Sequence, residues 1–161
     1  MGLDISKWAV AAAAKRHRQI GWLVGSAKAP PVQHASVDLL LCMFGFYCFE
    51  GFRKALKPSG KVLLVDPAPD HLLELREIIY PQVRKSPPPS IHEAQALGFT
   101  LSETRNVTFK TQPLSSEQLT RILLMTPHAH RASREGLQRL KEVNGLSLTV
   151  AVEVRVIEMP Q

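Results

Sequence analysis

Asp4 closes the short apolar run Gly2-Leu3 and is followed by Ile5-Ser6-Lys7, which reads as a helix start. An acidic side chain at the carboxyl end of a parallel strand, where the chain turns into a helix, accepts hydrogen bonds from both hydroxyls of a nucleoside ribose. The same carboxylate could instead cap the helix that begins near Lys7. A second group of chemistry-bearing residues lies at 125–139, where His128, His130, Arg131, Arg134 and Arg139 concentrate positive charge. Such a cluster either contacts phosphates or forms a solvated helix face. His128 and His130, two residues apart with no carboxylate beside them, lack a metal-ligand pattern, so no metal site is assigned. His71 and Glu74 fall on the expected first turn of a helix, where Glu74 favours the dipole. Cys42 and Cys48 match neither a disulfide framework nor a zinc knuckle and read as buried or half-buried thiols. No catalytic side chain is identified.

These residues need a scaffold, and the chain supplies one domain of it. Its 161 residues are 45% hydrophobic and 21% charged, a globular composition, and the net charge of +6 with a pI near 9.6 favours a polyanionic partner. No apolar run approaches the ~20 residues of a membrane span and no signal peptide is evident, so a cytoplasmic protein is expected. Ser6 is placed as N-cap of an alanine-rich helix over Lys7 to His17. Ile20 to Val24 reads as a short buried strand ended by Gly25-Ser26. Val37 to Phe44, nearly continuous in apolar residues, reads as a parallel strand at the sheet centre, buried on both faces. A helix over Glu50 to Leu56 stops at the turn Lys57-Pro58-Ser59-Gly60, which feeds a strand over Lys61 to Val65. Asp70 is the expected N-cap of a helix over His71 to Tyr80, and Pro81 to Ser90, with Pro87-Pro88-Pro89, is an exposed extended connection. A helical stub at Ile91 to Leu97 ends at Gly98. Phe99 to Lys110 and the alternating Leu146 to Glu158 form an antiparallel pair, and helices over Ser115 to Met125 and Ser133 to Val143 are inserted between them.

An alternating α/β order that finishes in an antiparallel pair is similar to that of the class I methyltransferases, which bind S-adenosylmethionine across the carboxyl edge of the sheet. Val37-Asp38-Leu39-Leu40-Leu41, followed by Leu56-Lys57-Pro58-Ser59-Gly60-Lys61-Val62-Leu63-Leu64-Val65, resembles the fourth and fifth strands of that superfamily. The usual Leu-Lys-Pro-Gly-Gly turn has Ser59 in place of its first glycine. More specific are Pro67-Ala68-Pro69-Asp70-His71-Leu72-Leu73-Glu74-Leu75 and Leu124-Met125-Thr126-Pro127, together with Gly2 to Lys7 and Leu97-Gly98-Phe99-Thr100. These resemble the family that methylates N-1 of a guanine in large-subunit ribosomal RNA, and the resemblance covers essentially the whole chain.

The resemblance implies an α/β class I methyltransferase (Rossmann-like) sheet lacking its first strand and ending in an antiparallel pair with a helical insertion. Residues 1–80 would form the cofactor side, and 81–161 the C-terminal strands with a substrate-side insertion at 113–144. S-adenosyl-L-methionine is the implied cofactor, with Asp4 on the ribose, Ile5 against the adenine, Ser26 and Ala27 at the adenine ring and its amino group, and Met43 bordering the methyl-transfer centre. Many relatives carry aspartate where this chain has Ser26. Phe44, Phe46 and Tyr47 would form the target pocket, where aromatic rings could stack on a flipped guanine, while Phe44, Phe46, Phe49 and Phe52 could equally be core; the family carries a Pro-Cys pair where Phe46-Tyr47 stand. His128, His130, Arg131 and Arg134 would meet ribosomal RNA. Complete family members carry a zinc-binding module and a Gly-rich cofactor loop upstream of the part matched here, so the chain is expected to be truncated: either it is a fragment of a longer polypeptide, or the gap in the sheet is closed by re-pairing or by a homodimer or partner chain. Two other readings stay open: a small-molecule methyltransferase of the same fold, and a non-catalytic remnant or RNA-binding accessory module. No membrane partner is implied.

Overall fold

Two short parallel strands and a separate four-stranded sheet hold the extended segments of the computed structural model, which describes residues 1–160. In chain order the elements are β1 (Gly2–Asp4), α1 (Lys7–Arg16), β2 (Trp22–Val24), β3 (Val37–Met43), α2 (Phe49–Ala55), β4 (Leu56–Pro67), α3 (Leu73–Ile79), α4 (His92–Ala96), β5 (Thr100–Lys110), α5 (Ser116–Leu124), α6 (Arg134–Glu142) and β6 (Thr149–Glu158). A 3₁₀ turn at Pro127–His130 separates α5 from α6. β1 pairs in parallel with β2, and the larger sheet has the order β3-β4-β6-β5. β3 and β4 are parallel. β6 is antiparallel to β4, since Gly60 meets Met159 while Ala68 meets Ala151. It is also antiparallel to β5, since Ser102 meets Val156 while Thr111 meets Leu148.

The chain divides into two compact units, one of Met1–Val65, Ser90–Thr104 and the chain from Arg155 on, the other of Asp66–Pro89 and Arg105–Val154. Phe49, Phe52, Val62, Leu64, Phe99 and Ile157 lie in the core of the first, where the Phe49 ring meets Phe52 edge-on at 5.8 Å. The second is built on Leu75, Ile79, Leu119, Leu123, Leu140 and Leu148. Among the described residues no helix is long and apolar enough to cross a membrane.

Local chemistry explains the starts of α1, α5 and α6. The Ser6 hydroxyl accepts from the Ala9 amide at the head of α1. Ser115 and Gln118 form a reciprocal capping box on α5, with Ser115 Oγ accepting from Gln118 N and Gln118 Oε1 from Ser115 N. Ser133 Oγ accepts from Gly136 N at 2.9 Å to open α6. α3 differs from expectation: it begins at Leu73 behind Leu72, whose φ is 51°, and Asp70 caps nothing with its side chain but pairs with Lys85 at 2.6 Å. The Ala68–His71 and Asp70–Leu73 backbone turns take up the residues that the apolar spacing had placed in the helix.

β3 and β4 also correct the sequence reading. β3 is an edge strand of its sheet rather than a central one, and Leu39, Leu41 and Met43 are each more than half exposed. A continuous apolar run identifies a strand suited to burial on both faces, yet it cannot name the neighbours that would bury it. The segment Lys57–Gly60 does not separate α2 from the strand. It lies within β4 as a bulge, because Val37 pairs with Leu56 and Leu39 with Lys61, with Ser59 at φ 60°.

In the second unit α6 closes onto the end of α3. The last carbonyls of a helix lack intrahelical donors; here Ser133 donates to Ile79 O, and Arg139 donates to Ile78 O through Nε at 3.2 Å and an η nitrogen at 2.7 Å. The approach is close enough that a Cβ on Gly136 would lie 2.5 Å from the Ile79 carbonyl oxygen. Backbone cannot yield as a flexible side chain does. Gly136→Ala is therefore expected to lower the unfolding free energy by about 1–3 kcal/mol, read as a fall in the urea midpoint at unchanged m-value; an unaltered midpoint would refute this close packing.

Candidate functional site

In the first unit, β1 and β3 face a cleft of about 1060 Å³ whose lining includes Leu3, Asp4, Leu39, Leu41, Met43 and Phe44. Ligands of parallel α/β sheets sit beyond the carboxyl ends of the strands, and two chain reversals shape that end here. After β1, Asp4 Oδ1 accepts from the Ser6 amide at 2.7 Å, which orients the carboxylate and joins it to the cap of α1. Among the described residues this is the only hydrogen bond on the Asp4 side chain, so a second oxygen stays available to a ligand. After β3, Phe44 takes φ 51° while its amide donates to Val65 O at 2.9 Å. A left-handed backbone on an aromatic residue is strained, and such strain clusters at functional sites.

Of the residues the sequence nominated here, Asp4, Ala27, Met43, Phe44 and Phe46 line the cleft, whereas Ile5, Ser26 and Tyr47 do not. Ile5 is 78% exposed. The Ser26 hydroxyl accepts from the Lys28 amide in a turn. Tyr47 packs against the first core, 5.0 Å from the Phe49 ring, and its hydroxyl accepts from Arg155 at 2.8 Å.

The second unit holds a cavity of about 580 Å³. Arg76 organises it. Though on the short helix α3, its guanidinium reaches back to Pro69 O at 2.8 Å and His71 O at 3.2 Å, and forward to Arg84 O at 2.5 Å. One buried cation thus fixes both segments flanking α3 through carbonyl dipoles, with no carboxylate among its partners. Also lining the cavity, Tyr80 Oη and His128 Nδ1 are hydrogen-bonded at 2.9 Å, with their rings edge to face at 5.6 Å. The Thr126 hydroxyl accepts from the His128 amide and starts the 3₁₀ turn that presents His128. His128 and Arg131 line the cavity; His130 and Arg134 are exposed and do not. His71, Arg76, Tyr80 and Arg84 were not legible as a group, because only the carbonyl contacts of Arg76 bring the two ends of α3 together.

Charge and burial set the protonation state of this cavity. Burial, followed by the nearby Arg76 and Arg131 cations, pushes the His128 pKa below 6.5. Burial does the same to His71, with Arg76 and His128 adding to it and a backbone hydrogen bond at Ala151 opposing. Glu74 is also lowered, although burial alone would raise it: the Thr149 hydroxyl and amide donate to its carboxylate at 2.6 and 2.8 Å and, with Lys110, hold it below the ordinary value.

No family model matches the chain. Among curated proteins it is 25% identical over 156 residues to Bacillus subtilis (strain 168) YxjB, provisionally named a 23S rRNA (guanine-N(1)-)-methyltransferase, covering 96% of this chain and 55% of that one. The chain thus spans about half the length of this relative. Among solved structures it superposes on a Bacillus halodurans C-125 protein, provisionally titled a methyltransferase, with TM-score 0.57 and 15% identity, covering 99% of this chain and 82% of the other. It also superposes on Haemonchus contortus phosphoethanolamine N-methyltransferase 2, solved with phosphomonomethylethanolamine and S-adenosylhomocysteine, at TM-score 0.52 and 18% identity, covering 99% and 43%. The fold is that of the class I, Rossmann-like methyltransferases.

The depressed histidines have a consequence for stability. An imidazole with a lower pKa in the folded chain binds fewer protons there than when unfolded, so stability present above 6.5 is lost as pH falls from 6.5 through the folded values. Urea midpoints are expected to decline as pH falls below 6.5. NMR titration of Arg131→Ala should place the His128 midpoint closer to 6.5 than in the parent chain; a midpoint that does not rise would contradict the electrostatic account.

Proposed function

We propose that this chain serves S-adenosylmethionine-dependent methyl transfer to N-1 of a guanine in large-subunit ribosomal RNA. The observation that carries the reading is the placement of Asp4 at the carboxyl end of β1, oriented by the Ser6 amide and lining the cleft that β3 also borders. A carboxylate held there has the geometry to accept both ribose hydroxyls, so the donor set fits the nucleoside end of the cofactor. When bound, S-adenosylmethionine supplies a sulfonium-activated methyl group. Ala27, which lines the cleft, serves the adenine side, and Met43, at the end of β3, borders the transfer centre. Phe44 and Phe46 offer aromatic faces to the target base, in line with the enzymes that act on a base taken out of its stack. Methyl transfer from a sulfonium depends chiefly on aligning nucleophile, methyl and sulfur in a desolvated pocket, so the chain need not supply a strong base. The substrate assignment is supported by the Bacillus subtilis relative and by the net positive charge.

Calorimetric titration of S-adenosylmethionine into the chain and into Asp4→Ala tests this. Binding to the parent chain is expected to weaken roughly 10- to 100-fold in the variant, the effect of losing hydrogen bonds to a charged acceptor. No binding to the parent chain, or equal binding by both proteins, would overturn the reading.

A further inference from the structure

We propose that the cavity of the second unit is a pocket for one nucleotide of an RNA strand, the base lying against the Tyr80–His128 pair and the Pro87–Pro89 wall and the phosphate meeting Arg131 and Arg84. This assigns a recognition site and its residues; it rests on the methyl-transfer reading only in taking the nucleic acid to be RNA.

Charge is the first argument. The lining contains Arg76, Arg84, Arg131, His71 and His128, and neither an aspartate nor a glutamate. Arg76 is 7% exposed and is satisfied by carbonyl oxygens alone, so its full charge stays in the cavity wall. A buried cation without a counter-ion is costly, and an incoming anion offsets that cost. Arg76 adds to burial in disfavouring protonation of both imidazoles. With the histidines neutral, the attraction for an anion comes from the arginines, of which Arg84 and Arg131 are exposed.

Shape and surface chemistry narrow the anion. About 580 Å³ falls inside the ~300–1,000 Å³ range of small-ligand sites and far exceeds what a bare phosphate needs. Pro87, Pro88 and Pro89 line the cavity with apolar rings and no backbone amides to satisfy. Tyr80 and His128 are locked to each other by their hydrogen bond, so their rings cost little entropy to present. Gln82 adds an amide with both donor and acceptor capacity, as a base edge requires. Rigid apolar and aromatic walls for a ring, together with guanidiniums for a phosphate, are the means by which proteins hold unstacked RNA nucleotides. A phosphopeptide satisfies only the arginines.

The test is NMR on the full chain, following the His71 and His128 ring signals while guanosine 5′-monophosphate, guanosine, inorganic phosphate or phosphoserine is added. The monophosphate is expected to shift both histidines, with guanosine, phosphate and phosphoserine each binding at least about tenfold more weakly. Arg131→Ala and Arg84→Ala should each weaken the nucleotide about tenfold; both side chains are exposed, and the Arg84 carbonyl held by Arg76 survives the substitution. Histidine signals unmoved by millimolar nucleotide, or phosphate or phosphoserine binding as tightly as the nucleotide, would overturn the proposal. S-adenosylmethionine added to a parallel sample reads the other reading separately: nucleotide binding without it leaves the pocket standing and defeats methyl transfer, and the reverse result does the opposite.

Discussion

A parallel strand hydrogen-bonded along one edge only is the constraint on which much of the first unit depends. β3 carries the residues of a strand meant for burial, yet β4 alone pairs with it. The face of β3 that carries Leu39, Leu41 and Met43 is turned to the cleft and solvent-accessible, while Leu40 and Cys42 pack on the core and Val62 and Leu64 on β4 are fully buried. β1 and β2 form a sheet of their own, since no ladder joins them to β3. The apolar cleft and the polar turn at its end are therefore one feature: parallel strands converge their carboxyl ends, and Asp4 and Phe44 stand where two of them stop.

The second unit is organised differently, by carbonyl groups instead of strand edges. Arg76 gathers the carbonyls before and after α3, while Ser133 and Arg139 take those at its end. Glu74 completes the arrangement by receiving the Thr149 amide and hydroxyl from β6. A helix of only seven residues would be marginal alone; here side chains from other segments satisfy its termini, and the cavity walls follow from that anchoring.

What the sequence made legible divides along the same physical line. Ser6 was readable as a cap because capping involves residues three apart, and the alternating Leu146 to Glu158 run was readable as a strand from its period, with Thr149–Glu158 observed. The Lys57–Gly60 segment has the composition of a turn, and only its pairing with β3 makes it a bulge within a longer strand. Asp70 looked like a cap for α3, but the left-handed Leu72 lies between it and the helix. For the site, Asp4 stood out because its strand, carboxylate and helix are consecutive. The cavity did not, because Arg76, Arg84 and His128 are brought together only in the folded chain; His128 and Arg131 were noticed for their charge alone.

The bulged strand β4 also bears on the order in which the molecule is made. It carries Val62, Leu64 and Val65 at the heart of its sheet, and it lies between β3, which precedes it, and β6, which comes last. The Lys61–Glu158 pair joins residues 97 apart. Contacts this distant form slowly, since a long loop must close before they contribute. During synthesis β4 therefore emerges with one flank unpaired and keeps it so until β6 has left the ribosome. Through that interval the nascent polypeptide presents an apolar strand edge, the kind of surface that chaperones bind and that neighbouring chains can add to.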